Sequence, residues 1–293
     1  MSSNIDRRQF AKLAGLGGVV FASSLGPWGR ALAAAGQDFF FVQMTDSHWG
    51  FEGPPNPEAK TTLKRAVAAL NALPSQPDFV MFTGDLTHAA DDDKERARRM
   101  TEFKSIVADI KVKDVRFIPG ENDAGLDNGA MYKQMFGVGN YSFDHKGVHF
   151  VALDNVSDPN GLIGDNQLQW LSADLGKLDK AQPIVVFAHR PLFDLYPQWD
   201  WATKDGAKAI DILSAYQNVT VFYGHIHQEH QHMTGKIAHY AAESLIFPFP
   251  VAGSQPKKTP MPWDAAHPFK NLGFRSITAD GGATYKLVTD PIA

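Results

Sequence analysis

Cysteine is absent from all 293 residues. That excludes disulfides and thiolate metal sites, and it leaves imidazole, carboxylate, amide and water as the available metal ligands. Charge is modest as well: charged residues make up 20% and the formal net charge is -4. The basic residues form no long cluster, so the chain lacks the stripe that a nucleic-acid backbone binder needs, and no nucleic-acid-binding surface is expected. Sustained apolar runs of membrane-spanning length are missing too. The stretch Leu13 to Leu25 is diluted by Gly15, Gly17, Gly18, Ser23 and Ser24 and is too short to cross a bilayer. What remains is an ordinary globular composition, 44% apolar, in a chain long enough for one large α/β domain or two small ones.

The N-terminus reads as a separate segment. Arg7-Arg8-Gln9-Phe10-Ala11-Lys12 precedes the weakly apolar run, and Ala31-Leu32-Ala33-Ala34-Ala35-Gly36 supplies small residues suited to signal peptidase. This resembles a twin-arginine export signal; the alternative is a frayed amphipathic helix with an accidental arginine pair. Removal of residues 1–35 takes away one acid (Asp6) and four bases (Arg7, Arg8, Lys12, Arg30). Three net positive charges leave a chain of net charge -4, giving -7. The expectation is a periplasmic or secreted acidic protein, delivered by the twin-arginine machinery, with no membrane span in residues 36–293.

Beyond the signal, apolar runs alternate with helical patterns. Strands are expected over Phe39–Thr45, Phe79–Thr83, Val115–Pro119, His149–Leu153, Ile184–Ala188 and Val219–Tyr223. Most are continuous apolar runs, as in strands covered on both faces. Leu63, Val67, Leu70 and Leu73 recur at helical spacing, as do Met100, Phe103, Ile106, Val107 and Ile110; Gln167–Leu178 and Asp205–Tyr216 also read as helices. Lys236–Ala242, Gly273–Thr278 and Thr284–Thr289 look like closing strands. The alternation predicts a layered α/β domain with right-handed crossovers, spanning 36–293 without an internal boundary. Residues 247–270, with Pro248, Pro250, Pro256, Pro260, Pro262 and Pro268, predict a long irregular loop.

The chemistry lies at the strand ends, where α/β proteins build their sites. The first strand runs into Asp46-Ser47-His48, the second into Gly84-Asp85 and the third into Gly120-Glu121-Asn122-Asp123. Later strands end in His189 and in Gly224-His225-Ile226-His227. Taken singly, a histidine at a strand end is usually a satisfied structural residue. Five ligand-bearing ends in succession are not chance. Imidazole with carboxylate suits Mn, Fe or Zn rather than Mg or Ca. A carboxylate after glycine can approach two ions at once, and two ions about 3.5–4 Å apart can activate water and clamp phosphoryl oxygens.

In order and spacing these residues resemble the calcineurin-like metallophosphoesterase superfamily, whose signature is Asp-x-His, Gly-Asp, Gly-Asn-His-Asp/Glu, a lone His, then Gly-His-x-His. Gly164-Asp165-Asn166-Gln167-Leu168-Gln169-Trp170-Leu171 resembles a helix common in that family. The likeness covers roughly residues 38–240. It implies a four-layer α/β/β/α sandwich and two divalent or trivalent transition-metal ions acting on a small-molecule phosphomono- or diester. By the resemblance Asp46, His48 and His227 would hold one ion, His189 and His225 the other, and Asp85 would bridge.

The chain departs from the signature at one place. Aligned on Gly120 without a gap, Glu121 replaces the Asn ligand of the second ion, and Asn122 replaces the His that contacts phosphate and serves the leaving group. In the other register Asn122 is the ligand and Glu121 an insertion. Neither supplies the histidine, and an amide is no general acid at neutral pH. His88 could face the site, though a solvated loop position is the plainer expectation. Asp154 is expected to cap a turn, and His230 and His232 to lie on the surface. Arg190 would contact phosphate or pair with a carboxylate. Phe193, Tyr196, Trp199, Trp201, Phe247, Phe249, Trp263 and Phe269 either line a rim or pack the loops. Two rival classes stay open: a non-catalytic metal- or phosphate-binding protein on the same scaffold, and a zinc trap using the histidines of 225–232.

Overall fold

The computed structural model of the protein describes residues 21–22, 38–281 and 284–292. The export signal expected over residues 1–35 lies outside these, apart from Phe21–Ala22, which form a two-residue strand, β1. The first sheet takes the order β1-β12-β11-β2-β3-β4. Its strands are β2 (Phe39–Met44), β3 (Phe79–Thr83), β4 (Val115–Ile118), β11 (Gly273–Asp280) and β12 (Thr284–Pro291), besides β1. The second sheet takes the order β5-β6-β7-β8-β10-β9. Here the strands are β5 (Tyr141–His145), β6 (Val148–Ala152), β7 (Ile184–Phe187), β8 (Val219–Tyr223), β9 (His230–Thr234) and β10 (Ile237–Ala241). Within them β2, β3 and β4 run parallel, as do β6, β7, β8 and β10.

The sheets face one another across an aromatic layer. Phe41 of β2 is fully buried and meets Phe150, Phe187 and Phe222 edge-on, with ring centroids 5.9, 5.9 and 5.7 Å away. Edge-to-face geometry aligns the positive ring edge with the negative face. Each such ring contributes about 1.5–3 kcal/mol through burial alone.

Helices cover both outer faces. On the first sheet lie α1 (Ala59–Asn71), α2 (Asp93–Val107), α3 (Glu121–Ala124) and α4 (Ala130–Phe136). Leu63, Val67 and Leu70 of α1 and Phe103 and Val107 of α2 pack with Val42, Val80 and Phe82. Helix α2 begins where the Asp92 carboxylate accepts the Glu95 amide at 2.8 Å, satisfying one of the donors that a helix start leaves free. On the second sheet lie α5 (Asp165–Leu175) and α6 (Gly206–Ser214), burying Leu168, Leu171 and Leu213 against Val151, Val186 and Val221. The result is the four-layer α/β/β/α sandwich. Among the described residues no helix is long and apolar enough to cross a membrane.

Besides β1, four elements were not expected from the pattern. Strands β5 and β9 are the two edges of the second sheet; half-exposed edges carry polar residues such as Asp144 and His230 and so give no apolar run. Helices α3 and α4 are too short to display a helical period. Residues 247–270 contain no regular element, as their prolines require.

Candidate metal centre

All five ligand-bearing turns emerge at the carboxyl ends of parallel strands, along one edge shared by the two sheets. They are stitched together by backbone hydrogen bonds. The Asp46 amide donates to Gly84 O (3.0 Å), His48 to Asp85 O (2.9 Å) and Gly224 to His189 O (2.9 Å). The sheets join where the His225 amide donates to Asp46 Oδ2 at 3.0 Å. Nine described non-glycine residues have positive φ, and five are Asp46 (53°), His48 (41°), Asp85 (49°), His225 (67°) and His227 (53°). Strained backbone concentrated on one set of side chains marks a functional site. Gly120 and Gly224 are glycines for a steric reason: a methyl group at Gly120 would collide with the Asp85 backbone, and one at Gly224 would lie 2.8 Å from Asp46 Oδ2.

The side chains form two triplets, Asp46–His48–His227 and Glu121–His189–His225, each with ligand atoms within 4.8 Å of one another. A third group, Asp46–Asp85–His189, overlaps both. Asp85 Oδ2 lies 3.3 Å from His48 Nε2 and 3.6 Å from His189 Nε2. It therefore stands between the triplets.

Hydrogen bonds fix three of the imidazoles. His189 Nδ1 donates to Thr83 O (2.7 Å), His227 Nδ1 to Phe247 O (2.7 Å) and His225 Nε2 to Asp200 O (2.9 Å). A carbonyl oxygen only accepts, so each facing nitrogen carries the proton and the other presents a lone pair. Those lone pairs point at carboxylate oxygens, which are also acceptors. His189 Nε2 and His225 Nδ1 each lie 2.9 Å from a Glu121 oxygen, and His227 Nε2 lies 3.3 Å from Asp46 Oδ1. His189 Nε2 and Glu121 Oε2 are buried without a hydrogen-bond partner. Converging acceptors of this kind are held together by a cation, and the N/O donor set fits a transition metal.

Electrostatics agree for three of the groups and mark one exception. Burial opposes charge on His189, yet Asp85 and Glu121 outweigh it and raise its proton affinity well above the ordinary value, so that without a cation a proton takes the place between His189 and Glu121. Burial opposes charge on Asp46, yet His227, His189 and His48 outweigh it and hold the carboxyl well below the usual carboxylate range. Glu121 is likewise held low against burial by His225 and His189. Burial pushes His48 down to about 4, with Asp85 opposing. At neutral pH the carboxylates are ionised and His48 is neutral, the forms in which these groups bind metal. Asp123 is different: burial, then Asp85, push it up to about 7 despite amide donors from Gly120, Thr87 and Leu86. It is a loop organiser, not a ligand.

The remaining candidates fall as follows. Glu121, the first residue of α3, is the one beside His189 and His225. Asn122 turns onto Asp85: its amide donates to Oδ1 (2.9 Å) and its Nδ2 to Oδ2 (2.7 Å), while its Oδ1 accepts from Ala89 N (3.2 Å). Arg190 pairs with Asp200 at 2.8 Å and approaches Glu121 at 3.6 Å, so its charge is answered by carboxylates. His88 is not a solvated loop residue; its Nδ1 lies 3.2 Å from His48 Nδ1, and its ring meets Phe51 edge-on. Asp154 caps a turn, accepting from Val156 N and Ser157 N. His230 bonds the Tyr223 hydroxyl at 2.8 Å and His232 stacks on Phe193. Both sit on β9, away from the triplets. Residues that orient the site escaped the pattern. Asn155 is buried and accepts the His189 amide at 3.1 Å; its only sequence signal is its place just past a strand end.

A site of imidazole and carboxylate triplets at the strand ends of a four-layer sandwich defines a metal-binding hydrolase scaffold. Residues 41–229 match the calcineurin-like phosphoesterase family, and the chain belongs to it. With that membership it is classed among the hydrolases. It is 26% identical over 211 residues to a probable cyclic nucleotide phosphodiesterase of Rhodococcus erythropolis, covering 64% of this chain and 64% of that protein. The match therefore spans just under two thirds of that relative's length. It is 23% identical over 218 residues to a probable glycerophosphodiester phosphodiesterase, GpdQ, of Arcobacter nitrofigilis, covering 69% and 77%. Among solved structures it shares the fold of a dimetal phosphatase from Danio rerio, with a TM-score of 0.55, 14% identity, and coverage of 87% of this chain and 99% of that one.

Proposed function

We propose that the protein is a phosphoester hydrolase working with two transition-metal ions of the Mn, Fe or Zn kind. Asp46, His48 and His227 would hold one ion and Glu121, His189 and His225 the other, with Asp85 between them. The observation that carries this reading is the convergence of buried lone pairs in two adjacent triplets. When bound, the ions supply Lewis acidity toward water and phosphoryl oxygens. The chain's own residues supply preorganisation. Carbonyls of Thr83, Phe247 and Asp200 hold three imidazoles in one tautomer, and Asn122 clamps Asp85 through two hydrogen bonds.

Substrate preference follows from Asn122. A positioned general acid contributes about 10²–10⁴-fold, most where the leaving group is basic. An amide gives no proton, so the substrate is a phosphomono- or diester with an acidic leaving group such as an aryl alcohol. The two relatives named phosphodiesterases favour a diester. The test is hydrolysis of p-nitrophenyl phosphate and its bis-ester by Mn-loaded protein, with and without chelator. Metal-dependent turnover is expected. Two bound ions with no turnover of any ester in a broad panel would leave a metal- or phosphate-binding scaffold instead. Asn122→His should raise turnover of alkyl esters far more than of p-nitrophenyl esters; equal effects would remove position 122 from leaving-group chemistry.

Export through the twin-arginine route is part of the proposal and rests on Arg7-Arg8 and the small residues near Ala35. Arg7→Lys with Arg8→Lys should leave unprocessed protein in the cytoplasm, and normal periplasmic levels would count against it.

A further inference from the structure

The Pro-rich segment does more than close the chain. It is pinned against the metal centre at several points. Phe247 O accepts from both His227 Nδ1 and Ser244 Oγ at 2.7 Å, Gln228 Nε2 donates to Pro250 O at 3.0 Å, and the Met261 amide donates to Pro248 O at 2.9 Å. Phe249 packs its ring 4.5 Å from that of His227. Over the Phe249 ring stands the Lys258 ammonium, 5.6 Å from its centroid. Lys258 is half-buried and forms no ion pair with a carboxylate among the described residues. Arg190, expected either to contact phosphate or to pair with a carboxylate, is engaged by Asp200 and Glu121.

A positive charge held without a carboxylate partner at the edge of a metal centre is stabilised when an anion arrives. We infer that Lys258 is a phosphate-binding residue, meeting a non-bridging oxygen of the group that the metal centre receives. The inference rests on the phosphoester reading above and deepens it. Both a diester, with one charge, and a terminal phosphate, with two at neutral pH, present such an oxygen, so Lys258 serves either ester class and its loss costs the doubly charged group more. The Pro-rich segment becomes a specificity element that carries the cation the core signature does not supply.

The experiment is calorimetric titration of Mn-loaded protein with inorganic phosphate, comparing wild type, Lys258→Gln and Lys258→Arg. One charge-assisted hydrogen bond at a half-exposed position corresponds to about a tenfold change in Kd. Lys258→Gln should weaken phosphate about tenfold, less so at high salt, and Lys258→Arg should stay within about threefold. For p-nitrophenyl phosphate, KM should rise in Lys258→Gln with kcat little changed, and KM for the bis-ester should rise less. Unchanged phosphate affinity in Lys258→Gln overturns the inference. Equal losses in both variants overturn it too, because they would reflect packing and not charge. Binding is read independently of turnover. A wild type that hydrolyses nothing refutes the proposed activity, while a tenfold phosphate loss would still support the anion site.

Discussion

Gly120→Ala tests whether the close approach of two turns sets the metal centre. Gly120 has φ -105°, a conformation open to alanine, so the penalty is steric alone. The added methyl carbon would lie 2.7 Å from Asp85 Cγ, where carbon pairs rest at about 3.5–4.0 Å. The Asp85 backbone nitrogen and Oδ1 would lie closer still, so the Asp85 turn as a whole, backbone and carboxylate together, must retreat by at least about 1 Å, away from the Asn122 donors and the His48 and His189 nitrogens. Overpacking of this kind costs about 1–3 kcal/mol, or a fall in Tm of about 3–10 °C for a domain of this size. The functional loss should be larger, because a displacement of about 1 Å in a reacting constellation can cost about a hundredfold in rate. Gly235→Ala is the control. Its φ is +59° with nothing within 4 Å of the new carbon, so it pays about 1–2 kcal/mol of left-handed strain and leaves the site alone. Thermal melts, metal content and turnover should be measured on both variants. Full metal occupancy with wild-type turnover in Gly120→Ala would refute the argument.

Two further predictions follow from the geometry. Asp85→Asn keeps the shape but removes the charge between the triplets; occupancy of both sites should fall and turnover should drop at least about a hundredfold, and two retained ions with unchanged turnover would sink the two-metal reading. Glu243 is pushed up to about 7 by burial, then by Glu229, with Arg275 opposing. A carboxyl raised in the folded state contributes stability that is complete below its unfolded value near 4.5 and lost as pH rises through about 7. Melting temperature against pH should therefore fall less between pH 5 and 8 in Glu243→Gln than in wild type, and parallel curves would contradict the shift.

The ligand-bearing turns were legible because apolar strands run straight into them: Ile184, Val185, Val186, Phe187 and Ala188 give way to His189 with no polar residue between. The local sequence also contains the steric requirement, since Gly84, Gly120 and Gly224 immediately precede Asp85, Glu121 and His225. What stayed hidden comes from tertiary contacts. The carbonyl that orients His227 belongs to Phe247, 20 residues on, and no spacing rule selects it. Asn122 has no sequence mark that would aim it at Asp85. His88 reads as a loop histidine until α2 supplies Arg99, whose guanidinium holds the His88 and Ala89 carbonyls at 2.9 and 3.1 Å. Edge strand β9 was missed for the same reason that its histidines looked superficial: one of its faces is open.

Each triplet takes members from both sheets. Asp46 and His48 come from the first sheet and His227 from the second; Glu121 comes from the first and His189 and His225 from the second. Neither half of the molecule contains a complete site, so ion binding has to await the meeting of the halves. Once in place, the ions would act as a clasp across the seam. Separating the sheets would break both coordination shells at once, adding to the barrier for unfolding more than to the rate of folding. Stripped of metal, the seam is left with converging acceptors and strained turns, and the two layers would begin to part at this edge.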